Sequence, residues 1–286
     1  RLKSMQSIAK FAMRSPLHAI GVSMLAASLP LLSWLSAAVV ALVVLSQGIR
    51  AGANVFLWTL IPLGIGLHYT SDPTSIFLVT SVFLLALALR HRFSWEHVLI
   101  FAFFITLTGA FLYYNIASTV FQQLINIYNQ ILVGTDGIPN IENKDLVKIM
   151  ISGYSVMLYF FSIAVLSLAR WCQSCLYNPS GFGSEFRSLR LSPYVSLAAV
   201  LAVFFCILFI DTLGTWIPFL GSPLLIASLG LVHWLFEVAE ISNFWIIGFY
   251  IGLLLFFQIF FPVLTSIAVI DSFFDLRSRY KFSNKE

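Results

Sequence analysis

The run P16-LHAIGVSMLAASLPLLSWLSAAVVALVVLS-Q47 carries no charged residue over its whole length. A bilayer core takes roughly 20 residues of helix, so residues 16–47 are too long for one ordinary crossing and too apolar for a water-exposed surface. Pro30 divides the run, which gives two short spans at 16–29 and 31–47. Arg1, Lys3, Lys10 and Arg14 precede it, and further apolar runs follow. It therefore reads as an anchor rather than a cleavable leader.

The rest of the chain agrees with that solvent. Of 286 residues, 59% are apolar and only 10% charged, against about 25% charged in soluble domains. The net charge of +4 follows from membrane topology, since Lys and Arg gather in cytoplasmic loops, and is no sign of nucleic-acid binding. Arg50 and Gly52 mark a turn. Further spans are expected at 53–69 (interrupted by Pro62, Gly64 and Gly66), 73–89 and 96–118. In 119–147, Val120, Leu124, Ile127 and Ile131 recur at helical spacing opposite a Gln and Asn face, which predicts an amphipathic helix on the membrane surface, followed by a polar loop. Spans are expected again at 148–169 and 193–213, then an apolar stretch 217–240 broken by Pro218, Gly221 and Pro223, a last span at 244–269, and a tail from 271 to 286. The expected fold is all-α: a polytopic transmembrane helical bundle, one integral membrane domain of about eight spans. A ninth exists if 217–240 crosses fully; a re-entrant or broken segment there, lining a cavity, is preferred.

Charge sets the orientation. With the amino terminus and the tail inside, only Lys144 and Lys148 lie outside, a strong positive-inside bias. The expected location is a bacterial cytoplasmic (inner) membrane, with membrane lipid as the surrounding partner.

The longest run with loop character is RWCQSCLYNPSGFGSEFRSLRL, 170–191. Its Cys172 and Cys175 form a lone Cys-x-x-Cys, with no second pair to complete a zinc site. No phosphate-binding glycine motif and no hydrolase or zinc-protease motif is present, so no catalytic residue, metal or cofactor is expected. Arg170 and Trp171 suit an interfacial helix end, Asn178-Pro179 and Gly181 break the helix, and Phe182, Glu185, Phe186 and Arg190 belong to a short interfacial segment. Together these seven candidates for partner docking (Arg170, Trp171, Asn178, Phe182, Glu185, Phe186, Arg190) offer a surface to another protein.

The same motif, R-W-x-Q-x-x-L-Y-N-P-x-G-F-x-x-E-F-x-x-L-R-L, resembles the central loop of the YybS-like bacterial membrane proteins, a family of unknown function. The 15–45 hairpin and the stretches LGLVHWLFEVAEISNFWIIGFYIGLLLFF and DSFFDLRSR resemble that family's ends. Cys172 and Ser180 depart from its pattern. The resemblance implies a fold like the substrate-binding components of energy-coupling-factor transporters, and no particular ligand.

Candidate chemistry concentrates at His233, Glu237 and Glu240, spaced to share one helical face. Ionisable groups in a membrane face protein or a water-filled cavity, so this trio, with Asp211 in support, is the expected substrate- or ion-binding site. The competing reading leaves both glutamates solvated in the headgroup layer. Asp275 and Arg279 are expected to pair at i,i+4. Two functions compete: a transporter-like binding component for a small molecule or lipid, and a non-catalytic scaffold docking a partner through 170–191.

Overall fold

The computed structural model describes residues 9–91, 93–132, 142–177 and 181–283. Among these residues every regular element is helical. The chain divides into two compact units, Arg1–Ser180 and Gly181–Glu286. Five helical segments are long and apolar enough to cross a membrane: Ile49–Thr70, Trp95–Ile116, Asn143–Tyr177, Ile210–Val238 and Phe257–Phe274. Five shorter apolar helices accompany them. Large apolar side chains such as Phe204, Leu208, Phe244 and Leu254 are exposed, and such a surface fits a lipid environment.

In the first unit, α1 (Pro16–Ala27) starts where Ser15 accepts the His18 backbone N–H and Pro16 takes the first turn. A 3₁₀ turn at Pro30–Leu32 then leads into α2 (Ser33–Gln47). The division expected at Pro30 is present. α2 is the central helix: every residue from Ser36 to Leu45 is buried, against α1, α3 (Ile49–Thr70), α4 (Thr74–Arg90) and α6 (Asn143–Tyr177). The small residues Ser33, Ala37 and Ala41 serve packing within this unit. Arg50 and Gly52 do not form the expected turn; both lie inside α3, and the chain turns one step earlier at Gly48, whose φ of 114° suits glycine. Pro62, Gly64 and Gly66 do not interrupt α3. A proline is tolerated in an apolar helix when neighbouring groups satisfy the backbone around it, and the buried Ser23–Thr59 hydroxyl pair at 2.6 Å ties α1 to α3 nearby.

α5 (Trp95–Ile116) packs on α4 and on α6. Tyr113 is buried and stacked on Tyr154 at 4.1 Å. The amphipathic helix is Ser118–Leu132, but its buried side carries Phe121 and Ile125, while Leu124 and Ile127 are exposed. Phe121 wins because two tyrosines, Tyr113 and Tyr114, offer ring edges at 5.6 and 5.3 Å. Of the polar loop expected after it, residues 133–141 lie outside the described residues, and the part from Asn143 onward opens α6 instead.

In the second unit, the short helix α8 (Gly181–Arg187; the amphipathic helix Ser118–Leu132 of the first unit is α7) is succeeded by α9 (Pro193–Leu208) and a broken stretch, Ile210–Leu213, a 3₁₀ turn at Gly214–Trp216, and Ile217–Leu220. An unbroken α10 (Ser222–Val238) follows. The expected break at 217–240 is thus confined to its beginning, and Pro223 opens α10 rather than interrupting it. The expected spans 193–213 and 244–269 each bend at a phenylalanine: Phe209 (φ −118°, ψ 47°) and Phe256 (φ −119°, ψ 37°). The second bend separates α11 (Asn243–Leu255) from α12 (Phe257–Phe274). Gln258 beside it is exposed. α10 packs on α12 and on Gly181–Arg187, and α9 on α12 through a Ser196–Ser272 hydrogen bond of 2.6 Å.

Candidate functional site

Two parts of the 170–191 run are helical, the end of α6 and Gly181–Arg187. Its first part is the end of α6. There Arg170 donates to Gln173 Oε1 at 2.7 Å, and Gln173 Nε2 donates to the Leu45 carbonyl at 2.8 Å. Arg90 donates to the Val44 and Leu45 carbonyls, at 2.9 and 2.7 Å. Gln173 and Arg90 thus donate to the carbonyls at the end of α2, and Arg170 holds Gln173. Trp171 is half-buried on the same helix, and Asn178 lies outside the described residues. Cys172 lines a small apolar cavity of about 110 Å³ with Trp34, Ala38 and Leu42 among its neighbours. Among the described residues no three of His, Cys, Asp or Glu come together as metal ligands.

The second part builds a charged cleft. Gly181–Arg187 and the extended residues after it lie across α10 at Gly230. A Cβ there would sit 2.7 Å from the Phe186 carbonyl oxygen and 3.2 Å from Leu189 Cβ, so only glycine admits the 186–189 backbone at this distance. Leu189 and Leu191 point inward and are buried. From the other side, the short helix α13 (Leu276–Ser283) supplies Arg277, which donates to the Arg187 and Leu189 carbonyls at 2.5 and 2.6 Å. The same guanidinium meets Asp271 at 3.3 Å. Asp271 is 2% exposed and also accepts the Leu276 N–H. Burial lowers the Arg277 guanidinium from its ordinary value against the opposing pull of Asp271.

Two further ion pairs form the rim. Arg187 pairs with Glu237. Arg190 meets Asp275 at 2.7 Å. The expected Asp275–Arg279 pair does not form. Asp275 ends α12 in the left-handed region (φ 46°) and opens α13, where its carboxylate accepts the Ser278 N–H and meets Arg190 instead, and Arg279 lies over the Phe274 ring at 5.5 Å. Partial burial acts to raise the Asp275 carboxyl, but hydrogen bonds from Arg190 and Ser278 and the Arg190 charge outweigh it, and it is held below its ordinary value. The sign for stability follows: the contribution is present above the unfolded carboxylate pKa and is lost as pH falls through the lower folded value. Arg190→Gln is therefore expected to flatten the acid limb of a melting-temperature profile in detergent. An unchanged acid limb would remove Asp275–Arg190 as its cause.

The resulting cleft, about 670 Å³, is lined by Arg187, Arg190, Arg277, Glu237, Asp275, three serines (Ser184, Ser188, Ser278), Trp234 and Val238. Of the four residues expected to bind substrate or ion, His233 and Glu237 do share a face of α10, and Gly181–Arg187 covers it. The Phe186 ring stands edge-on to His233 at 5.5 Å, and His233 Nε2 lies 2.8 Å from the Tyr250 hydroxyl. Glu237 reaches the cleft; His233 is not among the residues lining it. Glu240 leaves the face, because α10 ends at Val238 and Glu240 turns at φ 51° into an exposed position. Asp211 is exposed in the broken stretch. It is not among the residues lining the cleft. The candidates for docking are largely engaged inside this unit: Phe186 with His233, Phe182 with Phe186 at 6.0 Å, and Arg190 with Asp275. Glu185 lies in the same short helix.

Sequence spacing missed Arg187, Arg277, Asp271 and Asp275 as a group. Their partners are distant in the chain, and the one available signal was the density of charge in two short stretches, 185–190 and 271–279. The chain matches no protein-family model, no curated protein and no solved structure.

Proposed function

We propose that the chain is a multi-pass protein of a bacterial cytoplasmic membrane, crossing it about eight times with its amino terminus inside. In this reading it is a transporter-like component that binds a small polar molecule or a lipid headgroup in the charged cleft of its second unit. The observation that carries the reading is the cleft itself: three arginines, two carboxylates and three serines around about 670 Å³, in a chain with only 10% charged residues. Ionisable groups at membrane depth or at its edge are expensive unless they are used or paired. Of the motif positions that carry the YybS-like resemblance, Arg190 lines the cleft, while Ser184, Arg187 and Ser188 fall at its unspecified positions. The scaffold alternative would use the same segment from outside; the engagement of Phe186 and Arg190 with His233 and Asp275 favours the ligand reading.

The test is native mass spectrometry of the protein released from lipid nanodiscs. A small molecule or lipid retained by the parent protein is expected to be lost in Arg187→Gln/Arg190→Gln. Identical retention by both would remove the cleft as the binding site. A protein partner lost from the same variant would instead favour the scaffold.

A further inference from the structure

The cleft's charges are balanced, and the balance restricts its ligand. Arg187 and Arg190 are each answered by an accessible carboxylate, Glu237 and Asp275, and Arg277 by the buried Asp271. A ligand bearing only negative charge would have to take the two rim arginines from their carboxylates and then lie beside those carboxylates uncompensated. A ligand bearing only positive charge meets the reverse problem. A molecule with one charge of each sign meets neither: its oxyanion accepts from one rim guanidinium while its ammonium takes the place that this guanidinium held beside its carboxylate, and the other rim pair stays intact.

Two details set the kind of cation. Carboxylates accept hydrogen bonds, so an ammonium with N–H groups gains what a quaternary ammonium does not. Val238, the last residue of α10, lines the cleft, so a helix carboxyl end with its partial negative charge adds to the attraction for a cation. Planar guanidiniums suit a phosphate or carboxylate. Val238 on the cleft wall is an exposed apolar side chain, as is Phe274 one residue before the cleft's Asp275, and such side chains suit the acyl chains of a bound lipid.

Resting on the cleft-binding reading, we infer that the site takes a zwitterion, an oxyanion joined to a primary ammonium, with phosphoethanolamine as its membrane-borne form. The experiment uses the full chain, delipidated in detergent and titrated with short-chain phosphatidylethanolamine, phosphatidylcholine and phosphatidylglycerol, with binding read by native mass spectrometry. The ethanolamine lipid is expected to bind about tenfold tighter than the other two, the loss expected when a charge-assisted hydrogen bond is missing. Glu237→Gln and Asp275→Asn should each remove most of that preference, Asp275→Asn with a melting temperature lowered by the loss of its Arg190 pair, and Glu237→Gln is the control for folding; asparagine tolerates the left-handed backbone at 275. Soluble glycerophosphoethanolamine distinguishes the sources. Competition at a similar concentration assigns a free zwitterion, and failure to compete assigns the lipid; both support the inference. Glycerol lipid bound as tightly as ethanolamine lipid, and more tightly still in Glu237→Gln, overturns the zwitterion and leaves the cleft reading standing with an anionic ligand. Binding of all three that ignores Arg187→Gln/Arg190→Gln overturns both.

Discussion

Arg277→Met is expected to destabilise the protein by about 3–5 kcal/mol, the cost of breaking a buried ion pair from one side. The substitution leaves Asp271, 2% exposed, with its charge buried opposite a thioether. It also takes the donors from the Arg187 and Leu189 carbonyls. Asp271→Leu in the same chain removes the stranded charge. The double variant is therefore expected to recover much of the loss, since an apolar replacement of both partners is often tolerated. Unfolding in mixed micelles, followed for the two single variants and the double, reads this directly. If the losses simply add, the pair is not coupled and Arg277 acts through the 187–189 carbonyls alone. The double variant should also retain less ligand, because the 186–189 backbone would no longer be held against α10.

The second large effect belongs to the first unit. Gly52→Ala is expected to destabilise by about 1–3 kcal/mol, the usual range for forcing atoms into a packed contact. A Cβ at Gly52 would sit 2.2 Å from Val44 Cγ2 and 2.9 Å from Val44 Cα. The backbone atom cannot rotate away, so α2 and α3 must separate. The direction opposes intrinsic propensity, in which alanine is favoured over glycine in a helix by about 1 kcal/mol. Gly64 and Gly66 lie in the same helix with nothing within 4 Å of an added Cβ. The same substitution there should be neutral or stabilising. Melting temperatures of the three variants in one detergent decide the matter, and equal shifts at all three positions would refute the close approach at Gly52.

Particular residues show why the sequence was legible in places and opaque in others. Pro30 and Ser15 act locally, through a missing N–H or a side chain that accepts from the next turn, so the start of α1 and the α1–α2 division could be read directly. Gly52 looked like a turn residue for the same local reason. Its role is instead to let α2 approach, which depends on Val44, and no local pattern reports that. The amphipathic pattern of 118–132 identified a helix but not its buried side: Leu124 and Phe121 are both apolar, and the tyrosines of α5 chose between them. His233 and Glu237 were legible as one face because helical spacing is local; Glu240 left it because the helix ended first.

What the sequence determined by itself is the solvent and the class of structure. Long uncharged runs must satisfy their backbone internally in an apolar medium, and helices do so with local bonds alone. What only the tertiary structure decided is which helices are central and which charges meet. In a chain apolar on nearly every face, lipid and protein interior ask for the same side chains, so periodicity cannot tell them apart. The partners of Arg187, Arg190 and Arg277 are set by where Gly230 lets the 186–189 backbone lie and where Asp275 turns the chain, and these are facts of packing between segments far apart in sequence.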